Sequence, residues 1–83
     1  MHFVYILKSL SDKSRYYIGI TDNIDRRLNE HNTKGSGYSK RYAPWGLTTF
    51  IAFKDKNTAE KFEIYLKAGS GQAFLKKHFL PEE

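Results

Sequence analysis

The chain has 83 residues, with 14 Lys and Arg against nine Asp and Glu, a formal charge of +5 and a pI near 9.5, a balance that attracts polyanions, nucleic acid first among them. Cysteine is missing, which excludes disulfides, thiolate nucleophiles and Cys-ligated zinc or iron–sulfur centres. No apolar run approaches the roughly 20 residues of a membrane span, and Met1 to Tyr5 leads straight into a strand-like run without a signal-peptide pattern, so a soluble cytoplasmic protein with no membrane partner is expected.

The expected organisation is one domain covering 1–83, with a core filled by six Phe, six Tyr and one Trp. Phe3 to Lys8 is β-branched and aromatic and reads as a strand buried on both faces, Phe3, Tyr5 and Leu7 on one side and Val4 and Ile6 on the other. A polar turn, Ser11 to Ser14, leads to a second strand from Arg15 to Ile20, so the two should form an antiparallel hairpin. Gly19 shares a face with Tyr17; it marks either a bulge or a place where another group approaches the backbone. Thr21, Asp22 and Asn23 offer N-caps for a helix from Ile24 to Asn32, ended by Lys34-Gly35-Ser36-Gly37. Residues 34–46 read as irregular, with Pro44 barring a regular helix across them, and Leu47 to Phe53 as a third strand. Asn57 with Glu60 resembles a capping box for the next helix, Gly69-Ser70-Gly71 interrupts it, and Gln72 to Leu80 makes a last amphipathic helix closed by Pro81. The fold class is α+β, a small three-stranded antiparallel sheet flanked by about three helices.

Two helical stripes are broken by ionisable residues. Ile24, Arg27, Leu28 and His31 stand at i, i+3, i+4 and i+7, and Ala59, Phe62, Glu63 and Leu66 repeat that spacing. Burying an unpaired charge is costly, so charges at the edge of a core call for an explanation, and an active site between the helices is one.

Val4-Tyr5, Tyr17-Ile18-Gly19, Arg27, His31 and Glu63 together resemble the GIY-YIG nuclease family in residue type, order and element over roughly residues 2–79. The first tripeptide reads Phe3-Val4-Tyr5, so only its tyrosine coincides with the family name. The chain looks most like the small members that consist of the nuclease module and little else; the repair excinuclease and the homing endonucleases attach the same module to further domains. The resemblance implies phosphodiester hydrolysis in DNA, favoured over RNA, assisted by one divalent metal, Mg²⁺ or Mn²⁺. Glu63 is the implied metal ligand, since a carboxylate oxygen suits a hard cation. Arg27 would stabilise charge on the phosphate. Tyr5 and Tyr17 would orient the attacking water, Tyr5 serving as base once nearby cations lower its pKa from about 10. His31 would pass a proton or hold a phosphate. Lys34, Tyr38, Lys40 and Arg41, in the irregular stretch, are expected to follow a nucleic-acid strand with weak sequence specificity, with Trp45 packing beneath them.

Each role has a plainer counterpart. Without the resemblance, Tyr5 and Tyr17 read as core residues with satisfied hydroxyls. Arg27 and Glu63 can be an ion pair between helices, and His31 a cation favourable to a helix C-terminus. Lys67 reads as the solvated i, i+4 partner of Glu63. His2 and His78 read as surface or packing residues. A nucleic-acid-binding module that keeps the fold without hydrolysis is the alternative function, and a module that relies on a protein partner for specificity is a third.

Overall fold

β1 (His2–Ser9) runs down the middle of a three-stranded antiparallel sheet ordered β2-β1-β3, between β2 (Tyr16–Thr21) and β3 (Trp45–Phe53), in a computed structural model that describes residues 1–80. A central strand is apolar where layers cover both of its sides, and Val4, Tyr5, Ile6 and Leu7 are all 2% exposed or less. Full burial of a side chain such as Leu7 contributes about 1.5–3 kcal/mol. The register sets Tyr5 opposite Gly19 on β2 and opposite Phe50 on β3, with an irregularity towards β3 between Ile6 and Leu7. The antiparallel hairpin and the strand expected from Leu47 are both present, the latter starting two residues earlier at Trp45.

Side chains from the two faces of the sheet form separate apolar cores. Val4, Ile6 and Ile18 pack with Ala59, Leu66 and Leu75 of α3 (Lys56–Leu66) and α4 (Ser70–His78). On the other face Tyr5, Leu7 and Trp45 gather Tyr17, Tyr42 and Leu28, the last from α1 (Ile24–Thr33). Among the described residues no buried side-chain nitrogen or oxygen lacks a hydrogen-bond partner. No helix there is long and apolar enough to cross a membrane.

The helices start where side-chain acceptors meet the free N–H groups of a first turn. Asn23 caps α1, its Oδ1 accepting the Arg26 N–H at 3.0 Å. α3 departs from expectation: its cap is Asp55, whose carboxylate accepts the Thr58 N–H at 2.9 Å and the Thr58 hydroxyl at 2.8 Å, so the Asn57–Glu60 box does not open it. An ionised oxygen two residues earlier is the stronger acceptor. α4 includes Ser70 and Gly71, because a glycine there lets its backbone lie against Tyr65 at the end of α3, where any Cβ would overlap. The expected stop at Pro81 lies outside the described residues.

The stretch expected to be irregular contains a fourth helix, the single turn α2 (Tyr38–Arg41). Pro44 does not prevent it, since the turn ends before the proline. Tertiary contacts hold this turn: the Tyr38 hydroxyl donates to the Tyr16 carbonyl at 3.0 Å, and the Tyr38 ring lies against Tyr42 and Trp45 with centroids 4.9 and 5.8 Å away.

Candidate active site

β2 is an edge strand, and the Tyr5 side chain extends over it through the space left by Gly19. A Cβ at position 19 would overlap the Tyr5 ring and hydroxyl, so of the two readings of this glycine the close approach is the one realised. The phenol is thereby carried from the buried central strand to the rim of the sheet, where groups from α1 can meet it.

Four groups there form one hydrogen-bonded row. Arg27 Nε donates to the Tyr5 hydroxyl oxygen at 3.4 Å, the Tyr5 hydroxyl lies 3.1 Å from His31 Nε2, and His31 Nδ1 lies 3.1 Å from the Ser39 hydroxyl. Arg27 and His31 are one turn apart on α1, which is why a single helix face brings both to the phenol hydroxyl. The Tyr17 ring lines the row, stacked on Tyr5 with centroids 6.3 Å apart and edge-on to His31 at 4.5 Å. His31 is 3% exposed, so it is built into this wall as well as standing in the last turn of the helix.

Burial sets the protonation of the row. It raises the Tyr5 pKa above its ordinary value near 10; the Arg27 hydrogen bond and charge pull it down, and Tyr17 and Glu63 push it up. The cation beside Tyr5 therefore does not deliver the expected net lowering, because desolvation of the phenolate outweighs it. Burial, helped by the Arg27 charge and opposed by Glu30, holds His31 below its ordinary value near 6.5. At neutral pH the row holds a neutral phenol beside a neutral imidazole. The Tyr5 hydrogen bond keeps Arg27 firmly charged.

Glu63 comes from α3, on the opposite face of the sheet, yet its charge reaches the Tyr5 hydroxyl and raises the proton affinity of that group. Arg27 and Glu63 each pair with a near neighbour in sequence, Arg27 with Glu30 at 3.4 Å and Glu63 with Lys67 at 3.3 Å, the latter as expected. The Glu63 side chain is 17% exposed. Among the described residues no three His, Cys, Asp or Glu side chains cluster as a ready-made metal cage. A single partly exposed carboxylate fits a hard divalent cation that takes its remaining ligands from water and phosphate.

Beside the row opens a cleft of about 300 Å³ lined by Arg27, Glu30, His31, Lys34, Ser36 and Ser39. Lys34 thus borders the site directly. Lys40 and Arg41 belong to α2, with the Arg41 guanidinium exposed and 5.5 Å from the Tyr42 ring centre. Tyr38 is a strut as much as a surface group, since its hydroxyl is spent on Tyr16. Trp45 packs beneath this stretch as expected, 2% exposed, with Nε1 donating to the Ser39 carbonyl at 2.8 Å. His78 lies against the Phe74 ring, a packing role.

Sequence patterns did not point to Ser39, and gave Asn32 and Gly35 a part only in ending α1. The Asn32 side-chain amide exchanges two hydrogen bonds with the Trp45 backbone and ties the end of α1 to the start of β3. Gly35 allows the chain to fold back on α1: a Cβ there would lie 2.7 Å from the His31 carbonyl oxygen and 2.9 Å from Ser39 Cβ. Only the adjacency of Asn32 to His31 could have drawn attention to it; Ser39 carried no signal, because its partner is eight residues away across a glycine-rich loop.

Comparison with known proteins gives the family of the chain. The family model described as GIY-YIG catalytic domain matches residues 1–77. A UPF0213 protein of Clostridium perfringens is 38% identical over 68 residues, covering 81% of this chain and 71% of the relative. A structure-specific endonuclease subunit SLX1 homolog of Giardia intestinalis is 37% identical over 65 residues, covering 74% of this chain and 18% of the relative, so the chain spans less than a fifth of that protein's length. The solution NMR structure of a UPF0213 protein from Bacillus halodurans superposes with a TM-score of 0.56 at 28% identity, covering 96% of this chain and 87% of the other.

Proposed function

This chain belongs to the GIY-YIG catalytic-domain family, and on that footing we propose that it is an endonuclease that hydrolyses phosphodiester bonds in DNA with weak sequence specificity, using Mg²⁺ or Mn²⁺ at Glu63. The observation that carries the reading is the row from Arg27 through Tyr5 to His31, seated beside a cleft that Arg27 and Lys34 line. A cation bound at that carboxylate supplies charge neutralisation on the phosphate and the leaving oxygen.

The chain's own residues do the rest. Tyr5 takes the proton of the attacking water as its hydroxyl proton passes to His31 Nε2, so no free phenolate is needed and His31 is the base that is neutral at working pH. Tyr17 holds the plane of the phenol. The guanidinium edge of Arg27 not used on Tyr5 and Glu30 meets the phosphate as negative charge builds on it. Lys34, Lys40 and Arg41 track neighbouring phosphates, contacts that hold a strand in place without reading its bases. The SLX1 relatives are named as endonuclease subunits and extend well beyond the matched region; a protein partner that supplies substrate choice belongs to the proposal.

The test is nicking of plasmid, single-stranded and branched DNA with Mg²⁺ or Mn²⁺ by wild type, Arg27→Ala and Glu63→Gln. Each variant should lose roughly 100- to 1000-fold in rate, the size associated with removing one preorganised charge-stabilising group. Cleavage untouched by either change removes the mechanism. Salt-sensitive binding that survives Glu63→Gln, with no cleavage under any metal, selects the alternative of a binding module.

A further inference from the structure

We infer that Ser39 is a positioning residue that holds His31 in the tautomer protonated at Nδ1, leaving Nε2 free to accept the Tyr5 hydroxyl proton. The hydrogen-bond geometry stands by itself, whereas its catalytic consequence rests on the nuclease reading above.

A neutral imidazole carries one donor and one acceptor nitrogen, and here both are engaged, Nδ1 with Ser39 and Nε2 with Tyr5, each at 3.1 Å. Two proton arrangements satisfy those distances. In one, Ser39 donates to Nδ1 and Nε2–H donates to the phenol oxygen. That oxygen already accepts from Arg27 Nε, so in the free chain the proton of Tyr5, 2% exposed, would have no acceptor among the described side chains. In the other, Nδ1–H donates to Ser39 and Tyr5 donates to Nε2. Every buried donor is then used, and Ser39, at the edge of the open cleft, keeps its remaining proton for the solvent side. The second arrangement is the one the burial selects.

Ser39 can impose this choice because it is itself fixed. Its carbonyl accepts from the buried Trp45 indole, the preceding residue is tethered to Tyr16, and Gly35 allows α2 to lie close enough to α1 for the hydroxyl to reach Nδ1. A histidine whose second nitrogen is held by a fixed partner presents the same nitrogen to its reaction partner in every molecule.

Long-range ¹H–¹⁵N correlation of the imidazoles in the ¹⁵N-labelled full chain, without DNA or metal at neutral pH, tests this directly, the His31 signals being identified by their loss in His31→Gln. Wild type should show protonated Nδ1 and bare Nε2. Ser39→Ala should shift His31 towards the opposite tautomer and Ser39→Thr, which restores a hydroxyl, should not. In plasmid nicking, Ser39→Ala should lose roughly 10- to 100-fold in kcat with KM little changed, and Ser39→Thr should recover it. If Ser39→Ala does not fold, as its amide spectrum would reveal, the wild-type and Ser39→Thr spectra still decide. The inference is overturned by protonated Nε2 in wild type, by a Ser39→Ala spectrum identical to wild type, or by Ser39→Thr behaving as Ala. A chain that cuts no DNA yet shows the Nδ1–H form supports the tautomer assignment and removes the nuclease reading alone.

Discussion

The Tyr5 phenol and the backbone of Gly19 occupy one space across the β1–β2 ladder: a Cβ added at residue 19 would lie 2.8 Å from Tyr5 Cε1 and overlap the hydroxyl. Gly19→Ala should therefore push the phenol off Arg27 and His31. The expected outcome is a destabilisation of about 1–3 kcal/mol by overpacking, read as a lower urea midpoint. Cleavage should fall by roughly 100-fold, since displacing a reacting group by about 1 Å is enough for such a loss.

Stability should depend on pH through His31 and Tyr5 in opposite ranges. The folded state holds His31 below its ordinary value, so as pH falls through about 6.5 the unfolded chain takes up the proton first and stability is lost; above that range the imidazole is neutral in both states and contributes no slope. Tyr5 is raised in the folded state, so as pH climbs past about 10 the unfolded chain ionises first and stability falls again. Urea midpoints measured across both ranges check this, with His31→Gln expected to flatten the acid side and Tyr5→Phe the alkaline side. The acid limb of kcat/KM should have its midpoint below about 6.5, because the base is a depressed imidazole.

The cations on α2 should act on affinity rather than on chemistry. Replacing Lys40 and Arg41 by Ala should weaken binding to all DNA sequences alike and reduce the slope of log K against log salt by about 0.9 for each phosphate no longer neutralised, or roughly 2 for the pair on duplex. Fluorescence anisotropy over a range of salt concentrations measures this, and kcat at saturating DNA should stay unchanged.

The helix that carries Glu63 should respond to its true cap. Asp55→Ala removes the acceptor of the Thr58 N–H and should lower the thermal midpoint, whereas Asn57→Ala should leave it in place. Calorimetry on the two variants separates them. Loss of the cap should also raise the cation concentration needed for half-maximal cleavage, because Glu63 rides on that helix.

Local chemistry determined much of this protein before any tertiary contact was known. The uninterrupted apolar run from Phe3 to Leu7 specifies a strand covered on both faces, because only a central strand buries residues that point to opposite sides. Arg27 and His31 one turn apart specify a shared helix face, and Tyr17 with Gly19 places a gap beside a phenol, since these relations are set by periods of 3.6 and 2 residues. Charged side chains near an apolar stripe singled out Arg27, His31 and Glu63 for the same reason, but the place expected for them, between the two helices, does not exist, because α1 and α3 pack on opposite faces of the sheet. What folding alone decided lies between segments distant in sequence. No periodicity specifies that Tyr5 reaches its partners by crossing Gly19, that burial outweighs the Arg27 charge on the phenol, that Asp55 takes the cap, or that a turn of helix forms at Tyr38 and delivers Ser39 to His31. Those outcomes depend on distances and on exclusion of water, which exist only once the sheet, α1 and α2 have closed around one another.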